Sequence, residues 1–171
     1  MRPFFRSVVV AVMLGTLIAT HALAQNPVMP EDLLRIAEGK QCSQIDDFFR
    51  RPGPVGPPYL YGFEGTANAA SAIFWCRVRD PAAAMPYRLI VVGQPKVAGN
   101  CPADLAWWNP PGGLSIEAVR SVDLVGTRYL KDPTRPGPAT RRRVAGIMSS
   151  YDGVESIFYC YDGEWIFRTR H

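Results

Sequence analysis

The clearest hydrophobic pattern in this chain of 171 residues lies in its middle, where two segments are rich in aromatic and β-branched side chains. Residues 72–79 (AIFWCRVR) and 87–93 (YRLIVVG) have the composition of β-strands. The proline-containing stretch between them is typical of a loop that joins the two strands of a hairpin. Residues 114–125 fit neither the helical nor the strand period cleanly, and we expect a strand there.

The C-terminal part contains the same tripeptide twice, Tyr-Asp-Gly at 151–153 and at 161–163. Asp-Gly between apolar runs is typical of a type I′ turn, because that turn requires positive φ at both of its central residues. The two turns therefore predict three consecutive antiparallel strands, over residues 142–149, 154–160 and 164–169.

Two of the predicted strands resemble each other. Residues 71–76 (SAIFWC) resemble residues 155–160 (ESIFYC), and each segment ends in a cysteine. So short a match does not establish an internal duplication, and chance similarity between two buried strands is the better explanation.

One helix is predicted before the strands, beginning at Pro30 and ending at Gly39. Proline suits the first turn of a helix, and the carboxylates of Glu31 and Asp32 suit the positive end of its dipole. The predicted fold class is therefore α+β. We expect the N-terminal helix to pack on a mostly antiparallel sheet of about five to seven strands that ends in a three-stranded β-meander.

The N-terminus has the three parts of a secretory signal peptide. Two arginines precede a short uncharged apolar run at 7–20, and the small-x-small pattern Ala-Leu-Ala follows at 22–24. An uncleaved membrane anchor is the alternative, but the run is shorter than the roughly 20 residues that a spanning helix needs. We expect residues 1–24 to be removed and residues 25–171 to form a single periplasmic or secreted domain that does not span a membrane.

The charge and the glycine pattern disfavour two classes of partner. Without Arg2 and Arg6, the formal net charge of +4 falls by two, which gives no electrostatic argument for nucleic acid binding. Nucleotide binding is disfavoured because no glycine-rich segment follows a strand and opens a helix in the way that phosphate-binding loops do.

All four cysteines lie after the predicted cleavage site. An even number of cysteines in an exported domain predicts two disulfides, and four cysteines allow three pairings. We favour Cys42–Cys76 with Cys101–Cys160, because this pairing keeps both loops local and not nested. Paired cysteines supply no thiolate to a metal, and no C-x-x-C motif suggests redox activity.

Histidine is almost absent from the mature chain, since His21 lies in the signal peptide and His171 is the last residue printed. A nucleophile–histidine arrangement or a histidine zinc site needs an imidazole held in place. We therefore expect no histidine-based catalytic site, no metal and no cofactor.

Carboxylates leave one catalytic alternative open. A hydrolase acting on cell-wall glycan requires only two carboxyl groups across a cleft. The candidates are Asp46, Asp47, Glu64, Asp104, Glu117 and Asp123. Nothing in their spacing brings any pair together.

Two features are candidate binding sites. Trp107 and Trp108 precede a proline pair, and exposed tryptophans could stack on a sugar or pack against a protein; the alternative is that they cap the core. The run Arg141, Arg142 and Arg143 could bind an anionic glycan, a lipid headgroup or an acidic protein; the alternative is a solubilising strand edge.

These observations favour an exported, non-catalytic binding or accessory module, such as an inhibitor, with an envelope protein or a glycan as its partner. A carboxylate-dependent hydrolase of cell-wall glycan and a structural domain of an envelope assembly are the two alternatives.

The first testable prediction concerns processing. Because the small-x-small pattern ends at Ala24, the exported protein should begin at Gln25. N-terminal sequencing of the protein recovered outside the cytoplasm checks this, and a protein that still begins at Met1 would contradict the signal-peptide interpretation.

Overall fold

The computed structural model describes residues 30–43, 56–61, 71–80, 82–93 and 97–171. The predicted signal peptide and the candidate carboxylates Asp46, Asp47 and Glu64 lie outside these residues. Within the described ranges, no helix is long and apolar enough to cross a membrane.

The molecule is mostly β-structure, so the predicted α+β class is wrong. Among the described residues, one short helix, α1 (Glu31–Gly39), is followed by ten strands that form two five-stranded sheets. The strands are β1 (Cys42–Ser43), β2 (Tyr59–Tyr61), β3 (Ala72–Val78), β4 (Tyr87–Val92), β5 (Asp104–Trp107), β6 (Gly113–Asp123), β7 (Arg128–Tyr129), β8 (Arg141–Tyr151), β9 (Val154–Tyr161) and β10 (Glu164–Arg170).

The first sheet, sheet 1, has the strand order β1-β3-β4-β5, with β2 also paired to β3. Its centre is the predicted hairpin of β3 and β4, in which Phe74 lies opposite Ile90. A disulfide between Cys42 and Cys76, with Cα atoms 5.5 Å apart, joins β1 to β3. Strand β1, which follows α1, is therefore covalently tied to the middle of this sheet.

The second sheet, sheet 2, has the strand order β6-β8-β9-β10-β7 and contains the predicted meander. Asp152 and Gly153 have φ of 49° and 77°, and Asp162 and Gly163 have φ of 48° and 81°. Both central residues of each turn therefore lie in the left-handed region, as type I′ turns require. The three-stranded meander is confirmed.

The main core lies between the two sheets, which explains why the helix does not define the fold. Ile73, Trp75 and Leu89 of sheet 1 are buried against side chains of sheet 2. The helix lies on the opposite face of sheet 1, where Leu33 and Ala37 are buried and Leu34 and Ile36 are partly buried. Strand β3 is consequently buried on both faces, and its nearly continuous apolar sequence follows from that position.

The second disulfide, Cys101–Cys160, crosses from the segment before β5 to β9, with Cα atoms 5.7 Å apart. It therefore links the two sheets. Both disulfide pairings that we favoured from the sequence are confirmed, and two disulfides are consistent with a protein outside the cytoplasm.

The close approach of Gly112 to β8 generates the second testable prediction. A Cβ at this position would overlap the backbone carbonyl of Ser150, so the backbone would have to move. Gly112→Ala should therefore lower the free energy of unfolding by about 1–3 kcal/mol or more. Chemical denaturation of the oxidised protein measures this change.

Gly39→Ala is the matched control, because a Cβ there meets no atom within 4 Å. Its free energy of unfolding should stay the same or rise by up to about 1 kcal/mol, since alanine is the better helix former. Equal destabilisation by the two substitutions would contradict the close packing at Gly112.

Candidate functional site

The two tryptophans that we selected from the sequence lie against the core. Trp107 ends β5 and is only 2% exposed. Its ring makes edge contacts with Phe158 and Phe167, whose centroids lie 4.9 and 5.2 Å away. Trp108 is half-buried and stacks on Trp107 at 4.4 Å. Two neighbouring residues can stack in this way because the alternation of side chains ends where β5 ends.

A cleft of about 410 Å³ opens beside Trp107, at one end of the two packed sheets, which we call the mouth of the sandwich. One wall comes from Trp107 and the two residues after Trp108, and the remainder comes from the ends of β8, β9 and β10. The lining residues are Trp107, Asn109, Pro110, Ser149, Tyr151, Asp152, Val154, Ser156, Thr169 and His171.

Three hydroxyl groups form a row along the sheet 2 side of this cleft. Ser149 of β8 is the register partner of Ser156 of β9, which is in turn the partner of Thr169 of β10. The hydroxyl oxygens of Ser156 and Thr169 are 3.5 Å apart. The Ser149 hydroxyl accepts a hydrogen bond of 2.9 Å from the backbone N–H of Gly112. We call Ser149, Ser156 and Thr169 the hydroxyl row.

The hydroxyl row lies next to the main core, on the same face of sheet 2. On each of the three strands, the residue two positions from the hydroxyl-row residue points to the same face of the sheet. These three residues are register partners of one another and are buried between the sheets. These core side chains are Ile147, Phe158 and Phe167. Because residues two apart on a strand share a face, the hydroxyl row lies on the inner face of sheet 2 and points towards the cleft.

The charged groups of the cleft stand at its rim. Asp152 is exposed and occupies a turn position with φ of 49°, which Asp tolerates better than most residues. His171 is exposed at the end of the chain. The hydroxyl row, Pro110 and Val154 give the interior of the cleft an uncharged lining.

The predicted arginine run begins β8, and all three of its side chains are exposed. The Arg142 guanidinium lies 5.1 Å from the centroid of the Tyr161 ring, whereas Arg141 is the register partner of Asp123. At about 3.3 Å per residue, Arg142 and Ser149 are separated by roughly 20 Å along β8. The arginine run and the tryptophans therefore belong to separate surfaces.

A polar cluster on the outer face of sheet 2 was not anticipated from the sequence. Glu117, with a side chain 10% exposed, accepts a hydrogen bond of 2.6 Å from the Tyr159 hydroxyl. It also forms ion pairs with Arg120 and, at 3.6 Å, with Arg170. Burial raises the pKa of the Tyr159 phenol, and the positive charges of Arg170, Arg120 and Arg168 act in the opposite direction. The register of β6 shifts between Glu117 and Arg120, so the cluster stands at this irregularity of the strand.

Two candidate carboxylates of the hydrolase hypothesis, Glu117 and Asp123, line a cleft of about 250 Å³ at this cluster. Glu117 already has the Tyr159 hydroxyl and two arginines as partners. Asp123 accepts a hydrogen bond of 3.0 Å from the backbone N–H of Val125. Both carboxylates are therefore in contact with polar groups of the chain itself. Asp104, the third described candidate, lies in β5 and pairs with Arg88.

Among the described side chains, no three His, Cys, Asp or Glu residues converge as metal ligands. No protein-family model, no curated protein and no solved structure matches this chain. The functional interpretation therefore depends on the geometry of the clefts themselves.

The third testable prediction separates the two tryptophans. Because Trp107 is buried among three aromatic rings, Trp107→Ala should lower the free energy of unfolding by about 3–5 kcal/mol. Trp108→Ala should cost clearly less, since its ring is half-buried. Thermal melting of both variants measures the difference, and wild-type melting of Trp107→Ala would contradict its place in the core.

Proposed function

We propose that this chain is an exported, non-catalytic binding module that holds a small neutral group, such as one sugar residue of an envelope glycan, in the cleft beside Trp107. The observation that supports this most is the hydroxyl row, which presents three aligned hydroxyls in an otherwise uncharged interior.

The chemistry of the cleft matches that of a sugar ring. Each hydroxyl of the row can both donate and accept, and the Asn109 amide offers both kinds of group at the opposite wall. Pro110 and Val154 supply apolar surface for the C–H groups of a ring. A volume of about 410 Å³ is within the range of small-molecule sites.

The cleft is also built from parts whose positions are fixed before a ligand arrives. The hydroxyl row stands on three paired strands, and the Gly112 N–H orients Ser149. Pro110 and Pro111 restrict the backbone of the opposite wall. A ligand would therefore order few side chains when it binds, which lowers the entropic cost of association.

The proposed location is the periplasm or the extracellular space. Two disulfides support a place outside the cytoplasm, and the N-terminal sequence has the charge, the apolar run and the small residues of an export signal. An envelope glycan is available in the periplasm, which agrees with a neutral sugar as the ligand.

The fourth testable prediction removes one hydroxyl of the row. Thr169→Val replaces the hydroxyl with a methyl group of similar size, so binding of N,N′-diacetylchitobiose should weaken by about two- to tenfold. Ligand-observed NMR titration of the oxidised protein measures the dissociation constant, and melting curves check that the variant is folded.

Thr140→Val is the matched control, because Thr140 does not line the cleft. The backbone carbonyl of Thr140 accepts a hydrogen bond from the Leu124 N–H, and the substitution leaves that carbonyl in place. It should bind the disaccharide as the wild type does. The proposal fails if wild-type protein does not bind the disaccharide at millimolar concentrations, or if Thr169→Val binds it unchanged.

A further inference from the structure

Strand β5 forms an edge of sheet 1, and among the described residues only β4 pairs with it. At the β7 edge of sheet 2, the Tyr129 N–H donates to the carbonyl of Arg135, and the Gly137 N–H donates to the carbonyl of Thr127. The start of β6 at the other edge is covered as well, since the Leu114 N–H donates to the carbonyl of Pro57 at 2.7 Å. No described segment covers β5 in this way.

The hydrogen-bond pattern shows which groups of β5 point outwards. The Val91 N–H donates to the carbonyl of Ala103 at 2.8 Å. This bond identifies which opposite residues of β4 and β5 form hydrogen-bonded pairs. In an antiparallel pair, alternate residues direct both main-chain groups to the partner strand. The main-chain N–H and C=O groups of Leu105 and Trp107 therefore point towards β4. Those of Asp104 and Ala106 point to the open side. No described residue is hydrogen-bonded to these outward groups.

A groove of about 340 Å³ follows the same edge, between β5 and the beginning of β10. Leu105, Leu130 and Trp165 provide apolar walls, and Met85, at 40% exposure, lies at the mouth. The Trp165 indole N–H donates to the carbonyl of Pro102 at 2.7 Å, which fixes that wall. An extended chain added beside β5 would direct every second side chain into this groove.

The charges of the groove favour an acidic neighbour. Asp104 forms an ion pair of 3.2 Å with Arg88, and Glu164 forms one of 3.3 Å with Arg135. Lys131 also lines the groove and has no ion-pair partner among the described residues. The charge left unbalanced at this edge is therefore positive.

We propose that β5 binds an extended segment of a partner protein as an additional antiparallel or parallel strand. The segment presents an apolar side chain to the groove and an acidic side chain, two residues away, to Lys131. Main-chain hydrogen bonds to Asp104 and Ala106 provide the attachment, as in other proteins that bind peptides by strand addition.

A second copy of this chain is a poorer occupant than a foreign segment. If two β5 strands paired, the inward side chains of each, Leu105 and Trp107, would stay buried in their own core. The groove would remain unfilled and Lys131 unpaired. A foreign segment can place one side chain in the groove and another beside Lys131, because its side chains are not already buried in a core.

The fifth testable prediction uses a phage-displayed library of random dodecapeptides, selected on the oxidised exported protein. Binding clones should share an apolar residue followed two positions later by Asp or Glu. Ala106→Pro removes the outward N–H without breaking a bond to β4, so it should weaken binding of the synthesised peptides by about tenfold or more. Ala106→Ser, which keeps that N–H, is the matched control and should bind as the wild type does.

Lys131→Glu provides a second variant that leaves the backbone untouched, and it should shift selection from acidic to basic peptides. Thr169→Val should leave peptide binding unchanged, so this result is independent of the cleft beside Trp107. Three results overturn the proposal: no shared pattern among the clones, peptide binding unaffected by both Ala106→Pro and Lys131→Glu, or dimerisation in sedimentation that Ala106→Pro abolishes.

Discussion

The positive φ of two Asp-Gly pairs is the constraint on which most of this structure depends. A two-residue turn fixes which residues of the flanking strands are opposite, and Asp152–Gly153 and Asp162–Gly163 do this for β8, β9 and β10. A slip of one residue would move every side chain to the other face of the sheet. The same two turns therefore align Phe158 with its core partners and align the hydroxyl row at the mouth of the sandwich.

The meander and both disulfides could be predicted from the sequence because each depends on local chemistry or on a small number of alternatives. The fold class could not, because it depends on what covers each face of β3. The apolar sequence of β3 is compatible with a helix on one side, and Leu33 and Ala37 do lie there. The sequence carries no direct sign that a second sheet covers the other face, and short strands such as β5 and β7 carry weak patterns of their own.

The candidate site could be predicted only in part. Trp107 lines the cleft as an element of the core, and the hydroxyl row follows from the register that the two turns already imply. Sequence similarity was a poorer guide: Ile73 faces the core between the sheets, whereas Ile157, its counterpart in the repeated segment, faces the outer side of sheet 2. The two segments are thus oriented oppositely, which argues against an internal duplication.

The two disulfides close loops that do not overlap, and this decides how the protein responds to a protease. A single cut between Cys42 and Cys76, or between Cys101 and Cys160, leaves the two fragments covalently joined. A cut in the connection between β3 and β4 lies outside both disulfide-closed loops and yields two fragments with no covalent bond between them. Those fragments would be held by the pairing of β3 with β4 and by the shared core, so nicked protein would separate there on denaturation without any reducing agent.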